Sequence, residues 1–444
     1  MIARHPIIRK TISLTVNLVL SLGMLGFGLM APHTAAAAGD QYTPAAAEPG
    51  SDIPSAEVKF GMRPYADNTF YVIAMKKGWF KDVGIRIMPE PEGLKVTDAN
   101  VMALLINGQL DLSSQYCPLM LPTYKSSNKL KCIGFTDNFL GTALLANPAL
   151  KLKSFKEYLK EGLPFNEAIH RALLPMQGKT LVGSPVLSKR PFEEAVSEFS
   201  KVQWKLDLMD DAKALVLAKA GKVDFVSPEG APIVYTLMQA GWIDLIDIGD
   251  LYDHGPGGID SPVEKLVALV GIGGNSDYIN ANRNTVLRFL SVVWRTIDAV
   301  AKDPALHDLQ APFLNSVAGT SLDGKGVAET IRILDPLSSF EYNSNYFVNT
   351  KSILYYKNAW PAIMKDWTDK GLLPKDAVTV DTFVWAAAIW NQMKDYQAKA
   401  GGLIKQAEGK SLSAAKKDLL AKAKRHFEQF DFLDAYRLAK AATS

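Results

Sequence analysis

Residues 70–87 read FYVIAMKKGWFKDVGIRI, and this stretch decides the fold class. An apolar run with helical spacing stops at Gly78, and from Ile85 the chain changes to the alternating pattern of a strand. Glycine is favoured directly after a helix because it adopts the left-handed conformation without steric cost. The stretch therefore predicts the join between a helix and a following strand.

The residues on either side of this join complete a βαβ unit. The folded body is expected to begin at Val58, where VKFGMRPY has the composition of a strand. Thr69 is placed to cap a helix that starts at Phe70, and IRIMPE (85–90) is the next strand. The order strand, helix, strand predicts a right-handed parallel crossover.

The same pattern occurs a second time further along the chain. The segment 103–118, ALLINGQLDLSSQYCP, resembles LVLAKAGKVDFVSPEGAP at 215–232, and strand-like KTLVG with a helix from Pro191 precedes the second copy. The matched positions are Gly108 with Gly221, Asp111 with Asp224, and Pro118 with Pro232. A duplicated βαβαβα module predicts two lobes, each with an open sheet that binds ligand beyond the carboxyl ends of its strands.

Two strand-like runs can carry the chain between the lobes. GTALLANPAL (141–150) follows the first copy and KLVALVGIGG (265–274) follows the second, and a hinge needs a crossing in each direction. The predicted first lobe comprises 58–142 and 272–390, and the predicted second lobe is 143–271. The glycines near 271 are interpreted as a turn after the returning strand. Residues 391–444, with eleven Lys and Arg against six Asp and Glu, predict an added helical tail.

The amino terminus has the features of a secretory signal peptide, predicted over 1–38. Three basic residues precede a mostly apolar run at 12–30, and alanines at 36–38 suit cleavage. An uncleaved membrane anchor is the alternative. No cysteine follows the apolar run, so lipid anchoring is not expected. Residues 39–57, rich in Ala and Pro, are predicted to be a flexible leader.

Charge and motif content exclude several classes of function. Removing 1–38 takes away three basic residues, so the formal charge falls from +3 to 0 (49 − 3 basic against 46 acidic), which argues against nucleic acid as the partner. No G-x-S-x-G or H-E-x-x-H motif occurs, and the histidines lack metal-ligand spacing. We predict no catalytic residue, no metal and no cofactor. Cys117 and Cys132 could form a disulfide or remain two buried thiols.

Four segments carry a resemblance to a known family. They are AMKKGWFKDVGI (74–85), LLINGQLDL (104–112), QGKTLVG (177–183) and AGKVDF (220–225). Together they resemble the periplasmic substrate-binding proteins of ABC transporters of the nitrate, sulfonate, taurine and thiamine-precursor type, over about 58–390. The resemblance implies an α/β fold: a bilobed periplasmic binding protein of type II topology, with two open sheets, a hinge and extra C-terminal helices. The segment 158–176 and the tail depart from the pattern.

The resemblance also implies a function. The protein would be the monomeric, periplasmic solute-binding component of an ABC importer and would not be an enzyme. It would close on a small anionic or zwitterionic organic solute, such as a sulfonate or carboxylate, and deliver it to an inner-membrane permease. The alternatives are a pyrimidine- or thiamine-precursor-binding protein, an enzyme of the same fold, and a periplasmic sensory adaptor. The related pyrimidine-forming enzymes use a cysteine-rich cluster, which Cys117 and Cys132 do not form.

Polar loops after the predicted strands supply the candidate ligand-binding residues. Each loop precedes a helix, whose free N–H groups favour an anionic oxygen. Such residues are also ordinary caps or solvated charges, and the mixture of Arg63 with Asp67 and Glu229 leaves a zwitterion or a cationic ring open. The candidates are Arg63, Tyr65, Asp67, Asn68, Ser114, Gln115, Tyr116, Ser184, Ser188, Lys189 and Glu229.

Overall fold

The computed structural model describes residues 41–186, 189–228, 230–257 and 261–444. The predicted signal peptide and the candidates Ser188 and Glu229 lie outside the described residues. The described chain forms two lobes, each built on its own mixed sheet. None of the helices in these ranges combines the length and the apolar character needed to span a membrane.

The first part of lobe 1 alternates strands with short helices. A long 3-10 segment, Cys117–Lys125, separates its last two strands. The elements are β1 (Ala56–Met62), α1 (Ala66–Thr69), α2 (Tyr71–Lys77), α3 (Trp79–Asp82), β2 (Ile85–Met88), β3 (Leu94–Lys95), α4 (Val101–Ile106), β4 (Leu112–Tyr116) and β5 (Leu130–Asn138).

The join that decides the fold is formed as predicted, but a separate short helix, α1, precedes the predicted one. Gly78 ends α2 with φ of 74°, and its N–H points back to the carbonyls of Ala74 and Met75. The predicted cap, Thr69, instead lies at the end of α1, where its hydroxyl donates a 2.9 Å hydrogen bond to the carbonyl of Tyr65. The loop after β1 is therefore partly helical, and Thr69 bonds backward within it instead of capping α2.

Lobe 2 is continuous in sequence. Its sheet separates two apolar clusters, one containing Leu144 and Leu181 and the other Leu145 and Val182, as the alternation of a strand requires. The elements are β6 (Ala143–Ala146), α5 (Phe155–Lys160), α6 (Phe165–Leu173), β7 (Thr180–Gly183), α7 (Arg190–Ser200), β8 (Lys205–Leu208), α8 (Asp211–Lys219), β9 (Phe225–Ser227), α9 (Ala231–Gln239), β10 (Ile243–Asp247) and α10 (Ile248–His254).

The chain then returns to lobe 1 and becomes helical. Phe289 and other apolar residues of the long helix α12 join the core that also contains Phe60 of β1. The elements are β11 (Leu269–Asn275), α11 (Ser276–Ala281), α12 (Arg283–Lys302), α13 (Ala311–Ala318), α14 (Gly324–Leu334), α15 (Ser344–Phe347), α16 (Tyr356–Asp369) and α17 (Val380–Phe383), followed by the tail helices α18 (Ala386–Glu408), α19 (Ala414–Glu428) and α20 (Phe432–Thr443).

The two sheets have the same strand order, which confirms the duplicated open sheets. Lobe 1 has the order β2-β1-β4-β11-β5 and lobe 2 has β8-β7-β9-β6-β10. In each sheet the first three strands of this order are parallel and the fourth, which the chain enters after crossing from the other lobe, is antiparallel to its neighbours. The matched glycines, Gly108 and Gly221, both have positive φ, of 67° and 65°.

Two hydrogen bonds join the crossings side by side. The N–H of Phe139 donates to the carbonyl of Ala268 at 3.0 Å, and the N–H of Ala268 donates to Oδ1 of Asn138 at 3.0 Å. The second crossing therefore ends at Leu269, earlier than the predicted boundary at 272, because Leu269–Asn275 pairs along the whole of β5.

The glycine-rich end of the returning segment belongs to β11 and is not the predicted turn. A Cβ on Gly271 would lie 1.9 Å from the carbonyl oxygen of Gly134 in β5, and one on Gly273 would lie 2.6 Å from Sδ of Met120. These glycines therefore allow close approach of neighbouring backbone and side chain within the sheet.

The predicted flexible leader is packed against the body from Tyr42 onward. The Tyr42 hydroxyl donates to Oε1 of Gln392 on α18 at 2.8 Å. Glu48 pairs with the buried Arg288 of α12 at 2.5 Å, and Arg288 also pairs with Asp434 of α20 at 2.7 Å. The composition of the leader gave no sign of order, because its partners lie hundreds of residues away in sequence.

The two cysteines lie in the core of lobe 1. Cys117 and Cys132 are free and buried, with their sulfur atoms 2.8 Å apart.

Removal of the Asp434 carboxylate is expected to destabilise the protein strongly. Asp434 is fully buried and pairs with both Arg288 and Arg437, so Asp434→Ala leaves two buried guanidinium groups with less compensation. We expect the free energy of unfolding to fall by about 3–5 kcal/mol, measured by urea denaturation. Asp395→Ala, which breaks an exposed pair with Lys399 on the same tail, should cost about 0.5 kcal/mol. Equal losses for the two variants would contradict a stabilising role of this buried network.

Candidate functional site

A cavity lies between the lobes, at the carboxyl ends of the parallel strands. The space between its walls is about 540 Å³ when the part open to solvent is included, but only about 30 Å³ of it can hold the centre of a water molecule, so the cavity is nearly filled by its own side chains. Lobe 1, lobe 2 and both crossings contribute to its wall. The lining residues are Arg63, Tyr65, Asp67, Asn68, Tyr116, Phe139, Thr142, Pro191, Phe192, Ile248, Lys265, Leu266, Ala268 and Val270.

The pairing of the strands within the lobe 1 sheet explains why these segments meet. Arg63 follows the last residue of β1, and Tyr116 is the last residue of β4. Because β11 runs antiparallel to β4, its second residue, Val270, pairs with Tyr116. The start of a returning strand therefore lies beside the end of an outgoing strand, and the crossings form the floor of the cavity.

Arg63 is held by lobe 1 itself. Its side chain is buried, and its Nε donates to Oδ1 of Asp98. The hydroxyl of Tyr65 donates to Oδ2 of the same carboxylate at 2.8 Å, and the guanidinium carbon lies 4.7 Å from the centre of the Tyr65 ring. Much of the positive charge of Arg63 is therefore compensated by Asp98 before any ligand enters.

Asp67 and Asn68 form a buried acidic corner of the same wall. The amide nitrogen of Asn68 donates to Oδ2 of Asp67 at 2.6 Å. Burial raises the pKa of Asp67 to about 6, although the Asn68 amide and the charge of Arg63 oppose this change. Burial, with the nearby Asp67 charge, also raises the pKa of Asp137 well above its usual value.

The second lobe and the crossings supply a mainly apolar wall. Phe192 near the start of α7 and Phe139 in the first crossing line it, and Thr142 adds a hydroxyl. Lys265 is the cation on this side, and its Nζ lies 3.3 Å from Oδ1 of Asp366 on α16. The wall therefore offers apolar area with few polar groups, which is typical of sites for small organic molecules.

The lobes touch near the cavity. A Cβ on Gly230 at the start of α9 would lie 3.1 Å from Cδ1 of Tyr65, so the Tyr65 ring rests against the lobe 2 backbone. Lys370 after α16 pairs with Glu194 of α7 at 2.7 Å. The structure is therefore in a closed arrangement, and entry of a solute requires the lobes to separate.

The sequence-derived candidates divide into two groups. Arg63, Tyr65, Asp67, Asn68 and Tyr116 line the cavity.

Four further candidates are buried outside the lining of the cavity. The hydroxyl oxygen of Ser114 accepts from the N–H of Arg63 at 3.1 Å, and Gln115 donates to Ser113 at 3.3 Å within the sheet. The carbonyl of Ser184 accepts from Arg190 at 2.6 Å, and Lys189 is buried beside it. These four are not among the lining residues.

The residues that sequence reasoning missed belong mainly to the crossings and to the start of α7. A signal was present, since a crossing strand that is antiparallel to its neighbours must begin at their carboxyl ends. The missed lining residues are Phe139, Thr142, Pro191, Phe192, Ile248, Lys265, Leu266, Ala268 and Val270.

Three carboxylates of lobe 2 gather within 4.8 Å of one another, from Asp244, Asp247 and Asp250. The Nζ of Lys156 lies 2.6 Å from Asp247 and 3.4 Å from Asp250. The ammonium group therefore supplies the positive charge that a metal ion would bring, and the cluster is an ion-pair network.

Solved structures with the same fold exist, although sequence comparison finds no relative. The sequence matches no protein-family model and no curated protein. The structure is similar to the alkanesulfonate-binding protein SsuA from Xanthomonas axonopodis pv. citri bound to MOPS, with a TM-score of 0.50 and 14% identity over 74% of this chain and 98% of that one. It is also similar to the periplasmic aliphatic sulphonate binding protein SsuA from Escherichia coli, with a TM-score of 0.51 and 14% identity over 74% of this chain and 92% of that one.

These similarities confirm the predicted fold class, that of a bilobed periplasmic binding protein. The tail helices α18, α19 and α20 are the predicted extra C-terminal helices.

Burial of Asp67 predicts a pH dependence of stability. Its pKa is about 6 in the folded protein and about 3.9 in an unfolded chain, so the folded state binds more protons between these values. The Asp67 carboxyl should therefore contribute a loss of stability as pH rises from 4 to 6. Asp67→Asn removes this contribution, so the variant should gain up to about 3 kcal/mol over wild type by pH 7.

Urea denaturation of both proteins at pH 4, 5, 6 and 7 measures this gain. The control is Asp82→Asn, which changes a half-exposed pair with Arg295 on the outside of lobe 1. A difference between Asp67→Asn and wild type that stays constant with pH would contradict the account.

Proposed function

We propose that the protein is the solute-binding component of an ABC importer. The observation that carries this proposal is the cavity between two lobes of equal topology, lined from both lobes and from the two crossings that join them. A solute in this position would contact both lobes only when they are closed. It would therefore shift the population toward the closed form, which a permease can distinguish from the open form.

The two crossings would act as the hinge. They are short, lie side by side and are tied by the hydrogen bonds between Phe139, Ala268 and Asn138. Rotation about such a pair changes few contacts within either lobe, because each lobe has its own core. The apolar residues at 266–270 would then meet the solute as the lobes close.

The proposed solute is a small organic molecule with at least one charged group. The two similar structures belong to sulfonate-binding proteins by name, and Arg63 and Lys265 would give the cavity positive charge for an anionic or zwitterionic solute. Both cations already have carboxylate partners in Asp98 and Asp366, so this charge is largely compensated. A zwitterion fits such a mixed wall better than a simple anion does.

Export and assembly complete the proposal. The features of 1–38 support Sec-type export to the periplasm and cleavage, with no lipid anchor. The proposed partners are the solute and an inner-membrane permease, and the protein would be monomeric and bind no nucleic acid.

The alternative functions have weaker support. Cys117 and Cys132 are buried in the core of lobe 1 and do not line the cavity, so cysteine chemistry on a bound pyrimidine has no support from their position. For a sensory adaptor, the tail would have to bind a partner. Its helix α20 packs against α18 and α19 and uses Asp434 to pair with Arg288 of the body, which favours a stabilising role.

Solute binding is expected to raise the melting temperature without chemical turnover. A ligand present at 100 times its Kd should add about 2.7 kcal/mol to the stability of the native state. A thermal-shift screen across sulfonates, carboxylates, nitrate, amino-sulfonates and pyrimidines would find it, and mass spectrometry of the solution would detect any product. Conversion of a stabilising compound into product would instead establish an enzyme.

Enlarging Gly230 should prevent closure without disturbing either lobe. Its φ of −74° suits any residue, but a side chain here would collide with the Tyr65 ring of the other lobe. We expect Gly230→Leu to weaken solute binding at least tenfold, because closure would cost more than about 1.4 kcal/mol. Small-angle scattering should show that solute no longer reduces its radius of gyration.

The matched control is Gly257→Leu, where a Cβ would meet no atom within 4 Å. Unchanged affinity and closure in Gly230→Leu would contradict the proposed movement.

A further inference from the structure

The cavity wall contains two buried acceptors that the protein does not satisfy. Oδ1 of Asp67 and Oδ1 of Asn68 have no hydrogen-bond donor among the described residues, and the two side chains are only 2% and 1% exposed. Buried polar atoms without partners are rare because each one costs free energy. Both residues line the cavity, so a bound solute is the natural source of the missing donors.

The orientation of the Asn68 amide follows from its neighbour. Its contact with Oδ2 of Asp67 is 2.6 Å, and a carboxylate oxygen there requires a donor, which only the amide nitrogen provides. The carbonyl oxygen of Asn68 is therefore the atom left without a partner. The two atoms of Asp67 and Asn68 that lack a partner are therefore both acceptors.

The cationic groups of the cavity are engaged elsewhere. The Nε of Arg63 and the hydroxyl of Tyr65 both donate to Asp98, and Lys265 pairs with Asp366. Asp67 and Asn68 thus form the part of the wall that presents acceptors, whereas Arg63 and Lys265 each already have a carboxylate partner. An anionic group placed at this corner would meet a carboxylate and a carbonyl oxygen and would be repelled.

We propose that the solute carries a protonated nitrogen, an ammonium or a ring N–H⁺, which donates hydrogen bonds to Asp67 and Asn68. This inference rests on the proposed function and narrows its solute class to organic cations and zwitterions. The Asp67 carboxylate would accept a charge-assisted hydrogen bond from this nitrogen, and the Asn68 amide oxygen would accept a second one.

The other lining residues of the cavity indicate the chemical character of the rest of the solute. Tyr116, Phe139, Phe192, Leu266 and Val270 present aromatic and aliphatic surface, so the nitrogen should be attached to an apolar or ring-shaped group. Nitrate has neither a nitrogen donor nor such a body, and unsubstituted alkanesulfonates lack the nitrogen donor. They should bind weakly.

The test begins with capture of the solute from a mixture. The purified protein, freed of bound ligand by unfolding and refolding, is incubated with an aqueous bacterial metabolite extract, separated by gel filtration, and its bound molecules are identified by mass spectrometry. We expect the captured compound to contain a nitrogen that is protonated at pH 7. In parallel, calorimetry compares taurine with ethanesulfonate and MOPS with propanesulfonate, and the nitrogen-containing member of each pair should bind at least tenfold more tightly.

Asp67→Asn tests the assigned residue. The change keeps the size and an acceptor but removes the charge, so affinity for the captured compound should fall about 10- to 100-fold. Asp82→Asn, on the outside of lobe 1, should bind as wild type does.

The outcomes separate this inference from the function on which it rests. Capture of a compound without a protonated nitrogen, or equal affinity of Asp67→Asn and wild type, would overturn the inference and leave a solute-binding protein. Failure of the wild-type protein to capture any small molecule, or conversion of the captured molecule into product, would overturn the proposed function and the inference with it.

Discussion

The pairing of the two crossings is the constraint on which the rest of the structure depends. The N–H of Phe139 donates to the carbonyl of Ala268, and the Ala268 N–H donates to Asn138, so the chain leaves and re-enters lobe 1 at the same place. Because each crossing leads into a strand antiparallel to its neighbours, both arrive at the carboxyl ends of the parallel strands. Hinge, cavity and open sheet edges therefore coincide.

The protein combines this hinge of two crossings with polar groups in the cavity that lower its stability. Asp67 and Asn68 keep acceptors buried without donors, which lowers the stability of the unliganded protein. Outside the cavity lining, Glu48 and Asp434 hold the buried Arg288 and tie the leader and the tail to lobe 1. The unsatisfied acceptors of Asp67 and Asn68 thus belong to residues of the cavity wall, where a solute could supply their donors.

Local signals made the fold predictable, whereas the details of the site depended on distant contacts. Gly108 and Gly221 adopt positive φ at equivalent turns, and their matched positions in the sequence indicated the duplicated module. The sequence placed Arg63 among the binding residues but gave no sign that Asp98, 35 positions away, compensates its charge. The order of the leader was missed for the same reason, since Glu48 meets its partner 240 positions later.

The most direct test of the account is a crystal structure of the protein with its captured solute. The account predicts that the solute lies between the lobes, within hydrogen-bond distance of Asp67 and Asn68 and in contact with Phe192 of the opposite lobe. A solute bound to the surface of one lobe, or bound with Asp67 and Asn68 still lacking donors, would contradict it.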